Sequence, residues 1–65
     1  MAGALYRQLV RLLREGGCTP LRQGKGSHEI WFSPLTRRHF VVPFDIDKRP
    51  TANAVLKQAG LPKVF

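Results

Sequence analysis

Glu29-Ile30-Trp31-Phe32-Ser33-Pro34-Leu35-Thr36-Arg37-Arg38-His39-Phe40-Val41-Val42-Pro43 is the stretch that decides the fold. Residues 29–33 and 39–43 are short runs rich in β-branched and aromatic side chains, each bounded by turn residues, which is how strands read. Between them, Pro34 suits the second position of a turn, so the spacing predicts an antiparallel hairpin. Along the first of these strands, alternation puts Ile30 and Phe32 on one side and Glu29, Trp31 and Ser33 on the other. If helices cover only one side, the other leaves an aromatic near solvent. The expectation is Trp31, as an anchor for a protein partner or a stacking surface for bases.

Working outward, residues 19–23 form a third extended segment, and upstream of it residues 2–15 read as a helix. Leu5, Leu9, Leu12 and Leu13 recur at the offsets of one helical face, Tyr6 and Val10 widen the stripe, and Gly16-Gly17 supplies a stop. Downstream, a polar link with Asp45, Asp47, Lys48, Arg49 and Pro50 leads to a second helix over residues 52–59. Thr51 is its expected N-cap, Gly60 its stop, and Pro62 lies just beyond. The predicted class is α+β in the order helix, strand, strand, strand, helix: a three-stranded antiparallel sheet with both helices on one face. Leu5, Leu9, Leu12, Leu13, Val55, Leu56, Ala59 and Leu61 meet the inward strand residues. Residues 1–65 are expected to form one domain, and a chain of this length buries only about 60% of the surface its unfolded form exposes.

The composition narrows the partners. Eleven Lys and Arg stand against four Asp and Glu, a formal charge of +7 on 65 residues, which favours RNA, DNA or an acidic protein. With 43% hydrophobic residues there is material for a small core, so a disordered basic tail is excluded. Arg7, Arg11 and Arg14 interrupt the N-terminal apolar run, so neither a membrane span nor a signal-peptide core can be drawn, and a cytoplasmic location is expected. The single cysteine, Cys18, forms no Cys-x-x-Cys pattern and reads as a small core residue.

The charges gather in two places. Arg7, Arg11 and Arg14 fall within about 60° of one another on the side of the first helix opposite its leucines, where they either solvate the helix or grip phosphates. The second cluster is Arg22-Gln23-Gly24-Lys25-Gly26-Ser27-His28. Glycines let backbone amides approach an anion, Arg22 and Lys25 supply charge, and the Ser27 hydroxyl can donate to a phosphate oxygen. Binding of a phosphate chain is the first reading of this loop. His28 adds a second, because an imidazole beside a phosphodiester can take the proton of a ribose 2′-hydroxyl or give one to the leaving oxygen without any metal. The loop lacks the Gly-x-x-x-x-Gly-Lys-Ser/Thr pattern of nucleotide hydrolases, and His28, Glu29, His39, Asp45 and Asp47 have no recognisable metal-ligand spacing, so no metal or cofactor is expected. His39 reads as a surface strand residue. Asp45 and Asp47 read as loop acids, with a carboxylate that orients His28 left open.

Taken together, Arg-Gln followed by Gly-Ser-His-Glu-Ile-Trp, then Arg-Arg-His-Phe-Val-Val-Pro, then Val-Leu-Lys-Gln-Ala-Gly-Leu resembles the HicA, or YcfA-like, family of toxins over nearly the whole chain. The resemblance implies a fold like a double-stranded-RNA-binding domain and the activity of an mRNA-cleaving endoribonuclease, the toxin of a type II toxin-antitoxin pair. It matches the family's active histidine to His28 and the two residues before it to Gly26 and Ser27, and it implies a HicB-type antitoxin that covers the active site. Arg22, Lys25, Arg7, Arg11 and Arg14 are the expected RNA contacts beside Gly26 and Ser27. The alternative is a non-catalytic RNA-binding module of the same fold.

Overall fold

The two helices end in the same way. The computed structural model describes residues 2–65, with α1 spanning Tyr6–Glu15, β1 Thr19–Gln23, β2 His28–Ser33, β3 Arg38–Pro43 and α2 Arg49–Gln58. After α1, Gly17 takes φ +87°, its N–H bonds to the Arg14 carbonyl, and the Cys18 N–H reaches back to Leu13 at 2.9 Å. After α2, Gly60 takes φ +81°, its N–H bonds to Lys57, and the Leu61 N–H reaches Leu56 at 2.8 Å. Both are Schellman motifs, in which a left-handed glycine lets the chain turn back and satisfy the last carbonyls. Each turn also plants an apolar residue, Cys18 or Leu61, against the core.

The strands form one antiparallel sheet in the order β1-β2-β3. Opposed residues share a face, so the register assigns the two sides. Glu29, Trp31 and Ser33 of β2 stand with Phe40 and Val42 of β3 on the side that meets the helices. Tyr6 and Arg14 of α1 reach Glu29 and Trp31, while the Ser33 hydroxyl donates to the Ala59 carbonyl just past α2 at 2.6 Å, which sets both helices on this one face. Between the layers lie Leu9, Leu13, Cys18, Trp31, Phe40, Val42, Ile46, Ala52, Val55, Leu56 and Ala59, with Leu5, Tyr6, Val10, Leu12 and Leu61 partly buried against them. The α+β order and the leucine stripe expected from the sequence are those observed.

Three expectations need correction. Trp31 is not on the open side: it is 1% exposed beneath α1, and Phe32 takes the solvent-facing parity instead. Alternation fixes which residues share a side, while the helices decide which side is covered. The first helix starts at Tyr6 rather than Ala2, because the Gly3 N–H donates to the Phe44 carbonyl (2.9 Å) and the Leu5 N–H to Ile46 (3.1 Å), tying the leading segment to the link after β3. The second helix starts at Arg49 with Lys48 as N-cap, so Thr51 lies inside it and Pro50 sits in its first turn, where a missing N–H leaves no bond unmade.

Candidate functional site

The β1–β2 hairpin builds the site. Its Lys25–His28 turn is closed by the His28 N–H to the Lys25 carbonyl at 3.1 Å, while the Gly24 N–H donates to the His28 carbonyl at 2.7 Å. Gly26, second in that turn, takes φ +59°, a conformation that L side chains rarely adopt, and a Cβ there would meet nothing within 4 Å. Glycine is therefore needed at this point for its backbone and not for space. From the far side of the loop, the Phe44 N–H donates to the Ser27 carbonyl at 2.6 Å and ties the turn to the end of β3.

His28 opens β2, and its parity is that of Ile30 and Phe32, so its ring leaves the sheet on the side away from the helices. It is exposed. Directly across from it on β3 is Pro43, and on the other flank the hydrogen-bonded neighbour is Gly24, which has no side chain to cover the imidazole. Arg22 lies opposite Ile30 on this same face, a diagonal neighbour of His28 at the roughly 7–8 Å typical of such pairs. It gets there through a bulge. The register shifts between Pro20 and Arg22, so Leu21 is an extra residue that turns Arg22 toward the open face. Pro20 has no N–H to give the ladder, which suits it to such a break.

Beneath the site, on the helix side, a polar cluster holds the root of β2. The Glu29 carboxylate Oε1 accepts from the Tyr6 hydroxyl at 2.6 Å and from the Trp31 indole Nε1 at 3.1 Å. Burial, together with the bond to and the charge of Glu29, pushes the Tyr6 phenol up to about 12. The Tyr6 ring meets Phe44 edge-on at 4.6 Å between centroids, so α1, Glu29 and the Ser27–Phe44 tie form one continuous support. The sequence reading missed this cluster. The available signal was Glu29, an acid at an inward strand position, since a carboxylate placed there must find donors.

The expected site residues divide into two groups. Arg22, Lys25, Gly26, Ser27 and His28 come together at one end of the open face. Arg7, Arg11 and Arg14 do not join them. All three are exposed on α1, in the helix layer, and the Arg14 guanidinium lies 5.5 Å from the centroid of the Trp31 ring. His39 stands on the open face beside Phe32, at 5.6 Å between ring centroids. Asp45 and Asp47 are exposed on the link after β3, while Glu29 points to the opposite side of the sheet from His28. His28 itself sits on an open surface. Two clefts lie elsewhere, one lined by Leu12, Gly16, Leu56, Leu61 and Val64, the other by Pro50, Asn53, Ala54, Lys57 and Lys63. A flat, cationic, exposed imidazole site suits a polymer better than a small molecule enclosed in a pocket.

The order of one helix, three antiparallel strands and a second helix is consistent with the topology of a double-stranded-RNA-binding domain. Within that class, the family model described as HicA toxin of bacterial toxin-antitoxin matches residues 6–61, and the chain belongs to that family. No curated protein and no solved structure matches it. Among the described residues, no helix is long and apolar enough to cross a membrane.

Proposed function

We propose that this HicA-family toxin is a metal-independent endoribonuclease of messenger RNA in the cytoplasm, with His28 as its catalytic residue and a HicB-type antitoxin as its restraint. One observation carries the reading: an exposed imidazole stands between a glycine and a proline at the mouth of a cationic glycine-rich hairpin. His28 exchanges a proton with the ribose 2′-hydroxyl or with the leaving oxygen, for which an imidazole is suited near neutral pH. Arg22 and Lys25 hold the phosphate and offset the charge that develops on it, and the Ser27 hydroxyl adds a hydrogen bond. Gly26 gives the turn the shape that presents them.

The geometry supports this division of roles without asking the α1 arginines to touch the scissile phosphate. Arg7 and Arg11 remain available to distant phosphates of a long RNA, where each contact strengthens binding and adds to its salt dependence. The test is incubation of one labelled transcript with purified protein in excess EDTA. Shortened products at substoichiometric protein are expected. Intact RNA at stoichiometric protein, with affinity that falls as salt rises, would leave only the non-catalytic RNA-binding module. The antitoxin reading predicts a neighbouring gene for a small acidic protein whose co-expression relieves growth arrest.

A further inference from the structure

His28 shares its face with a second feature that phosphate chemistry does not use. Phe32 and His39 are directly opposed on β2 and β3, their rings meet edge to face at 5.6 Å and 65°, and no layer covers them. Ile30 and the 41%-exposed Val41 continue the apolar strip toward His28, and Thr19 borders Phe32 on the β1 side. Cations mark the path. Arg22 flanks Ile30 on this face, Lys25 stands in the hairpin at one end, and Arg37 sits in the β2–β3 turn at the other. None of the chain's four acidic residues occupies an open-face strand position: Glu15 is on α1, Glu29 points to the helices, and Asp45 and Asp47 lie in the link.

We propose that the open face of the sheet is a base-stacking platform for single-stranded RNA, on which the Phe32–His39 pair takes a base while the strand runs along β2 to bring a phosphodiester to His28. This deepens the ribonuclease reading and rests on it. From Phe32 to His28 is four residues of extended chain, about 13 Å, which leaves room for the sugar-phosphate chain between the stacked base and the reacting bond. Unpaired bases offer their faces to aromatic rings, and such stacking tolerates any sequence. In an A-form duplex those faces are hidden inside the helix, and the deep major groove admits no side chains. The arginines of α1, which a duplex would meet through its phosphates, belong to the layer that packs on the other face of the sheet from His28. The charge is complementary to a phosphate chain, and the strip is continuous with the site.

The test uses His28→Ala protein, so that RNA stays intact, titrated at fixed salt with an oligoribonucleotide carrying 2-aminopurine and with the same strand annealed to its complement. The single strand is expected to bind more tightly, with a change in 2-aminopurine emission. His39→Ala, which alters an exposed side chain, and Phe32→Leu should each weaken that binding roughly 5- to 150-fold, the range of one base stack. His39→Phe should retain it. Duplex binding as tight or tighter, no binding of the single strand, or indifference to His39→Ala and Phe32→Leu would overturn the platform. Indifference is the outcome expected if the strip is reserved for a protein partner. Failure of the parent protein to cleave RNA while this binding pattern holds would remove the ribonuclease reading and leave the platform. Cleavage without the pattern would do the reverse.

Discussion

The two sides of β2 hold the same number of residues and do opposite things. Toward the helices, Glu29 is bonded to Tyr6 and Trp31, the indole is buried and met by Arg14, and Ser33, fully buried, donates to Ala59 and accepts from the Leu35 N–H. Each of the three β2 side chains on that side has found a partner. Toward solvent, His28 is exposed, Ile30 and Phe32 are only half-buried, and no second layer lies over them. A chain of 65 residues has little stability to spare. Strand alternation lets it keep one parity for packing and leave the other open, so that the His28 imidazole can be exposed without opening the core.

That contrast can be broken by substitution. Trp31→Ala removes the largest fully buried side chain and strips Glu29 of a donor, at an expected cost of about 3–5 kcal/mol, enough to unfold much of a fold this small. Phe32→Ala, one residue on, should cost much less in the same urea titration; equal losses would mean that the open face is also core. Ser33→Ala leaves the Ala59 carbonyl unpaired where it is buried, for about 1–3 kcal/mol in the denaturation midpoint, with RNA cleavage unchanged at temperatures where the variant is folded. Gly26→Ala forces a Cβ into a left-handed turn that has space for it, so its cost is conformational, roughly 1–2 kcal/mol, and Gly26→Asn should recover part of it.

The smallest effect sharpens the comparison through pH. The Tyr6 phenol is held protonated to about 12, above its ordinary value of 10.0. A raised value means that the folded protein binds this proton more tightly than the unfolded chain, so the contribution is intact below pH 10 and fades between pH 10 and 12. Melting curves of the parent should therefore fall more steeply across that window than those of Tyr6→Phe, which has no phenol to ionise. Parallel curves would detach Tyr6 from the support under β2.

Much of this was legible in the chain. Glycine and proline punctuation with the Leu5, Leu9 and Leu13 stripe led to the element order, and the loop from Arg22 to His28 stood out by composition alone. What stayed hidden depends on partners distant in sequence. Trp31 and Phe32 are equally good strand residues, and only the helices that pack on one side tell them apart. The Gly3 and Leu5 amides bond to Phe44 and Ile46, some forty residues on, and nothing local announces that the helix must wait for them. Arg22 reaches the face of His28 only because of the bulge after Pro20, which is a matter of register against β2. Likewise the sequence names Arg7, Arg11 and Arg14 as RNA contacts together with Arg22 and Lys25, and only the layering of helix on sheet separates α1 from the open face that carries Arg22. Pro50, like Glu29, was a signal open to a better reading, since proline opens helices as readily as it ends segments.

The central claim is that the open parity of β2 carries the reaction through His28 while the covered parity carries the fold. The measurement that meets it most directly is the rate at which His28→Ala cleaves a labelled transcript in excess EDTA, beside the parent, with both melting curves recorded. A positioned acid or base contributes about 10² to 10⁴ in rate, so cleavage should fall by at least two orders of magnitude while the melting temperature stays where it was. Cleavage by His28→Ala at the parent's rate would contradict the assignment.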